Sequence, residues 1–299
     1  MKRQYISAYL AIVIGVIAVS LSAILVKLTQ SDSGLTAFYR MFFSVLIMLP
    51  VFFLKYKDEV RVLNRKDWIF SSIAGVLLAF HFIFWFESLR FTSIASSTVL
   101  VTLQPIFAFL GTYLFFNEKV SVKTFIAGCV AIIGSIYIGW GDFQVSGSAL
   151  FGDLLALIAC ALVTGYLLFG QEVRKRLSLI TYTMIVYSVS SITLFFYVLL
   201  IIGDFSPAAQ SDWFYFLLLA IIPNLLGHTL FNWALKWIST NVISMAILFE
   251  PIGATVLAYI IFSEKLMLSQ MIGGSVVLIG LLIFILDFKS MKNYFKKTS

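Results

Sequence analysis

The sequence predicts an all-α integral membrane protein with ten transmembrane helices arranged as two inverted five-helix repeats. Three observations carry this expectation. Hydrophobic residues make up 61% of the chain and charged ones only 12%, with a mean hydropathy of +1.01, far outside the range of soluble globular proteins. Apolar runs of about 20 residues, the length that crosses the hydrocarbon core, recur from end to end with only short loops between them. The second half of the chain then repeats the first at a fixed spacing.

The runs cover roughly 6–26, 35–54, 68–90, 94–116, 121–140, 149–169, 180–202, 212–235, 241–262 and 268–287. The hydrocarbon core offers backbone N–H and C=O groups no water, so each run is expected to be a helix. The first is too long for a cleaved signal peptide, and the weak cleavage candidate Ala18-Val19-Ser20 lies inside the run. The fourth and ninth each carry a mid-run proline, and the fifth and tenth are rich in glycine. Short connections leave no room for a soluble domain. The expected division is 1–144 for the first repeat, 145–290 for the second and 291–299 for a cytoplasmic tail.

The net charge of +7 is explained by where the cations fall. With the N terminus inside, 17 of 21 Lys and Arg lie on the inner side, leaving Lys27, Arg40, Arg90 and Lys265. The connections after the fifth and seventh runs, with the span edges beside them, hold Asp142, Asp153, Asp204 and Asp212 and no cation. This is the positive-inside pattern of a cell-membrane protein with both termini cytoplasmic, and nucleic acid is not needed as a partner. Cys129 and Cys160 both lie in spans. With no CxxC and only His81 and His228 as histidines, neither a disulfide framework, a metal site nor a cofactor is indicated.

Internal repetition orders the whole chain. Shifted by 146 residues, the 46 residues from Leu89 align without a gap on those from Leu235, with 14 identities. These include Pro105 with Pro251, Tyr113 with Tyr259, Glu118-Lys119 with Glu264-Lys265, and Gly128 and Gly134 with Gly274 and Gly280. Shared apolar bias does not produce paired Pro, Glu-Lys and Gly positions. Five spans per repeat is an odd number, so the second half enters the membrane upside down, a transporter device.

Duplicated five-span halves, a mid-membrane proline in a span ending NEK or SEK, and a Gly-rich closing span resemble the drug/metabolite transporter superfamily, specifically its EamA-type members. The resemblance covers nearly the whole chain. It implies spans one to four and six to nine around a central cavity, five and ten at the periphery, and transport of a small metabolite. Family substrates range from amino acids to sugars and organic cations.

Candidate site residues follow from charges and polar groups inside the spans, which are costly there. Glu250 precedes Pro251 in FEPIGATVLAYIIFSEK, and its counterpart before Pro105 is Gln104. Ala246, Glu250, Gly253, Ala254 and Leu257 share a face of a continuous helix, so small residues beside Glu250 point it into the bundle. Pro105 and Pro251 are expected to bend their helices and assist gating. Glu250 is read as a substrate-binding or proton-coupling carboxyl; the alternative is a neutral group tying two helices together. Asn224, His228 and Asn232 fall at i, i+4 and i+8 in the eighth span. The third span repeats the pattern as His81 and Trp85. Glu87 has no counterpart and is read as selecting cations or bridging Arg90 or Arg40. Arg40 is read either as snorkelling to the outer interface or as facing the cavity. Tyr39, Trp85, Tyr166 and Trp233 are candidates to stack on a flat or quaternary-ammonium substrate.

Competing classes leave less to point to. No HExxH or positioned Ser–His pair marks an enzyme, and no GxxxxGK[ST] loop marks primary active transport. The sequence therefore predicts a secondary, non-ATP transporter working by alternating access. An exporter of amino acids or related amines and organic cations is expected, with a lipid or hydrophobic-drug flippase as the alternative. Membrane lipids are partners; protons as coupling ion and a homodimer stay open.

Overall fold

The computed structural model describes residues 2–140, 147–263 and 267–297. Among the described residues, nine helical spans are long and apolar enough to cross a membrane: Ile6–Leu28, Ser33–Lys55, Arg65–Phe91, Ile94–Phe116, Gly147–Val173, Leu179–Ile202, Asp212–Ala234, Thr240–Phe262 and Leu268–Asp287. The fifth run forms a shorter helix, Val122–Gly139. All ten expected spans are thus helical. The 144/145 boundary and the Glu264-Lys265 corner lie outside the described residues.

Helix starts are written locally. Asn64 and Asp67 exchange side-chain and backbone hydrogen bonds of 2.8 and 3.2 Å in a capping box before the third span. Ser93, Ser121 and Ser178 each accept from the backbone N–H three residues on, at 3.0, 3.0 and 3.2 Å, relieving the unpaired donors of a first turn. Helix ends match across the repeats: the fourth and ninth spans stop at Asn117 and Ser263, both left-handed with φ of 53° and 54°.

The two conserved-spacing prolines act differently from the expected bend. The fourth span is two helices, Ile94–Val101 and Gln104–Phe116, and the ninth is Thr240–Ile247 and Glu250–Phe262. Each proline sits in the first turn of the second piece, where no backbone N–H is required and the fixed φ suits a helix start. The spans are broken, not kinked, and Gln104 and Glu250 open the second pieces. The first span also breaks, at Leu21 between Lys2–Ser20 and Ser22–Leu28. No proline or glycine announces this; Ser20 Oγ donates back to the Val16 carbonyl at 2.9 Å, a bond that bends helices. In the eighth span a π segment, Ala220–His228, surrounds Pro223.

Packing separates a bundle from a flanking pair. The third span lies against the sixth and seventh, the first against the eighth and ninth, and the fifth pairs with the tenth. That last pair is packed backbone to backbone: a methyl group on Gly134 would lie 2.6 Å from the Val277 nitrogen, and one on Gly273 2.6 Å from the Gly134 carbonyl oxygen. Asp287 closes the pair, accepting from Thr124 at 3.0 Å and from Ser121. The outer faces carry exposed Leu278, Ile279, Leu282 and Ile285, as lipid contact requires.

Candidate functional site

The broken helices converge on a cavity of about 20 Å3 in the middle of the bundle, lined by the first, third, fourth, sixth, eighth and ninth spans. Its lining is paired across the repeats: His81 with His228, Trp85 with Phe231, Val101 with Ile247 and Gln104 with Glu250 stand 146 or 147 positions apart. Val19 and Ser22 of the first span and Val163 and Leu167 of the sixth complete it. This volume holds about one water molecule. In this conformation no metabolite fits.

Each polar group reaches the cavity for a local reason. Gln104 and Glu250 stand at helix starts, where a half-helix presents its positive end towards the cavity. His81 Nδ1 lies 2.9 Å from the Ala159 carbonyl, its ring stacks on Trp85 at 5.7 Å, and the His228 ring is 6.3 Å away. A carbonyl partner makes Nδ1 the donor. Among the described residues Trp85 Nε1, Gln104 Oε1 and His228 Nδ1 have no hydrogen-bond partner. Buried polar atoms are nearly always satisfied, so these three are prepared for water or ligand. Glu250 is the one carboxyl in the lining.

The other sequence candidates separate into a supporting layer and two outliers. Asn224 Nδ2 donates to Ser44 Oγ at 2.8 Å and Asn232 Nδ2 to Tyr166 Oη at 2.5 Å. The i, i+4, i+8 stripe therefore serves the second span, the cavity and the sixth span in turn, because the π segment shifts the register that a continuous α-helix would keep. Arg40 is fully buried: Nη1 donates to Ser22 Oγ at 2.8 Å, and the guanidinium lies 4.1 Å from the Phe82 ring centroid. This sets aside snorkelling. Glu87 pairs with Arg90 at 3.5 Å and does not line the cavity. Tyr39 donates to the Phe205 carbonyl at 2.8 Å and packs on Trp213 and Phe216, away from the cavity, which corrects the stacking role expected of it. Trp233 packs on Trp237.

Above Phe86 and Leu89 lies a second space, a cleft of about 530 Å3 lined also by Lys27, Asp32, Arg90 and Asp204. It belongs to the face opposite the one where the first span begins.

The sequence pattern of the EamA-like transporter family matches residues 6–140 and, a second time, residues 150–286. The chain belongs to the EamA-like transporter family. Among its curated relatives, an uncharacterized transporter of Archaeoglobus fulgidus is 24% identical, covering 91% of this chain and 94% of the relative. The riboflavin transporter ImpX of Fusobacterium nucleatum subsp. nucleatum is 24% identical over 79% of this chain and 83% of that protein. A solved crystal structure superposes with a TM-score of 0.72 at 15% identity, covering 95% of this chain and 98% of the other; it shares the fold. This EamA-like protein is a multi-pass membrane transporter of small molecules, not an enzyme.

Several buried polar contacts of the EamA-like transporter carry no mark of their partners in the sequence. Glu118 Oε1 accepts from Gln171 Nε2 at 2.7 Å and Oε2 from Asn241 Nδ2 at 3.4 Å, while Thr112 donates to Asn241 Oδ1 at 2.9 Å. The repeated Glu-Lys corner marked Glu118, but nothing marked its amide partners. Arg174, one of the cations on the inner side, is 2% exposed and donates to the Asn232 carbonyl at 2.9 Å and to that of Leu177. Glu59 accepts from the Ser178 N–H at 2.7 Å and from the Ser178 and Thr181 hydroxyls. Burial opposes ionisation of Glu59, but these hydrogen bonds, with the charge of Arg174, outweigh it and hold the carboxyl below its ordinary value.

Proposed function

We propose that this transporter is a secondary carrier that moves a small amine-bearing metabolite, an amino acid or related organic cation, outward across the cytoplasmic membrane by alternating access. One observation carries the reading: Glu250, the single carboxyl of the lining, stands among the rings of His81, Trp85, His228 and Phe231. A carboxylate beside aromatic faces suits an ammonium group, and ionisable residues at this depth mark substrate or ion paths. Inverted halves with a closed cavity between them support alternating exposure. Cytoplasmic termini follow from the cation distribution, and a proton taken by Glu250 is the coupling ion of this scheme.

A flat heteroaromatic substrate is the second reading, supported by the same aromatic walls and by the relative named a riboflavin transporter. Thermal-shift measurements on the purified protein distinguish the two, because a ligand that binds the folded state raises its stability by mass action. Amino acids, polyamines, quaternary amines, riboflavin, nucleosides and sugars are compared in wild type and Glu250→Gln. Stabilisation by amines that is lost in Glu250→Gln is expected. Stabilisation by riboflavin alone, unchanged in the variant, would replace this reading with the second. Silence across the soluble panel moves the question to lipid flipping in vesicles.

A further inference from the structure

Arg40 is the most costly residue in the bundle that the proposed function leaves unused. It is 0% exposed, yet no carboxylate among the described residues hydrogen-bonds it. Its guanidinium holds one hydroxyl, Ser22 Oγ at 2.8 Å, and lies over the rings of Phe82 at 4.1 Å and Phe86 at 5.7 Å. Nε and Nη2 have no partner among the described residues. A buried charge with unused donors is expensive unless something completes it.

The unused pair is chemically specific. Nε–H and the neighbouring Nη2–H form one edge of the guanidinium, the edge that grips a carboxylate through two parallel hydrogen bonds. Its position is equally specific. Ser22 lines the central cavity and Phe86 lines the 530 Å3 cleft, so Arg40 stands between the two spaces, with a contact residue in each. Glu250 interacts electrostatically with Arg40. Glu250 and Ser22, the hydroxyl that Arg40 holds, line one chamber.

We infer that Arg40 is the carboxylate-binding subsite of the transported molecule, and that with Glu250 on the amine it restricts the substrate to zwitterionic, amino-acid-like compounds. This rests on the reading of Glu250 as the amine partner. Its Nε/Nη2 edge donates to the substrate carboxylate, Ser22 fixes the opposite side of the guanidinium, and Phe82 and Phe86 keep water from it. A charge-assisted bond contributes about 1.5–3 kcal/mol, which corresponds to about tenfold or more in affinity.

The test compares each of the twenty common amino acids with its primary amide, which keeps the amine and removes the carboxylate, on the full-length purified protein. Wild type is expected to bind at least one amino acid about tenfold or more tightly than its amide. In Arg40→Gln the two affinities converge on that of the amide. Arg40→Lys keeps the buried charge but lacks the fork; it also loses most of the preference, and it serves alone if Arg40→Gln does not fold. Equal binding of acid and amide by wild type, or a preference that survives both substitutions, overturns the inference. Amide binding that is abolished in Glu250→Gln without any acid preference overturns the Arg40 subsite and leaves the amine reading standing. Binding of neither series overturns both.

Discussion

At the face where the first span begins, polar bonds cross between the halves at several points: Glu118 to Gln171 and Asn241, Glu59 to Ser178 and Thr181, Arg176 to Asp67 at 2.5 Å and Lys66 to Glu172 at 3.0 Å. At the opposite face the cross-links gather on one side, where Asp212 accepts from Gln30 N–H at 3.2 Å and Ser31 Oγ at 2.6 Å. Beside them stays the cleft of about 530 Å3. Between the faces the cavity shrinks to about 20 Å3. The contrast shows a molecule latched on one side and hollow on the other. Under the proposed alternating access, the bonds on the latched side would be released in a later step.

The largest break in this contrast is expected from Glu118→Ala, which leaves the Gln171 and Asn241 amides without their carboxylate. Removing a charged acceptor costs about 1.5–3 kcal/mol, so the latched side opens more often. A cysteine at Leu167, introduced in protein lacking Cys129 and Cys160, should then react with a membrane-impermeant thiol reagent about tenfold faster. One at Leu89, on the cleft side, should react equally fast with or without Glu118. An unchanged rate at Leu167 would show that Glu118 is not part of the latch.

Glu59→Gln sharpens the contrast by pH. Glu59 is half-buried and its folded-state pKa is lowered from 4.5, so its contribution is present at neutral pH and fades as pH falls through that lowered value. Partial exposure limits the effect to about 1 kcal/mol. The thermal stability gap between wild type and Glu59→Gln should be constant above about pH 5.5 and close below about pH 4.5. A gap that persists in acid would assign the loss to packing.

The smallest effect belongs to the cleft side. Arg90 pairs with Asp32 at 3.3 Å, with both side chains more than half exposed at 56% and 57%, and exposed pairs contribute little. Arg90→Gln should change stability by less than about 0.5 kcal/mol. A larger loss would show that this face too is latched.

Legibility in the sequence followed chemistry and period. Span positions, the duplication, and the pairing of Gln104 with Glu250 and His81 with His228 were readable because polar residues stand out against a uniform apolar background. The broken first span was not, since Leu21 carries no breaker residue and the cause is a hydroxyl bonding back to its own helix. Asn224 and Asn232 were found, but their separate partners depend on a π segment that a count of 3.6 residues per turn cannot reveal. Tyr39 was misread because an aromatic residue facing a neighbouring helix and one facing a cavity look alike in a string. The amides of Gln171 and Asn241 acquire meaning only when Glu118 from the other half lies beside them.

Asn117 and Ser263 end equivalent spans in the same left-handed turn, φ 53° and 54°, although neither is glycine and each conformation costs about 1 kcal/mol or more. Two different side chains accept that cost at matching places. The ancestry of the two halves is therefore recorded in the path of the main chain where the letters have drifted apart, and a search for lost duplications would do better to compare torsion angles than residues.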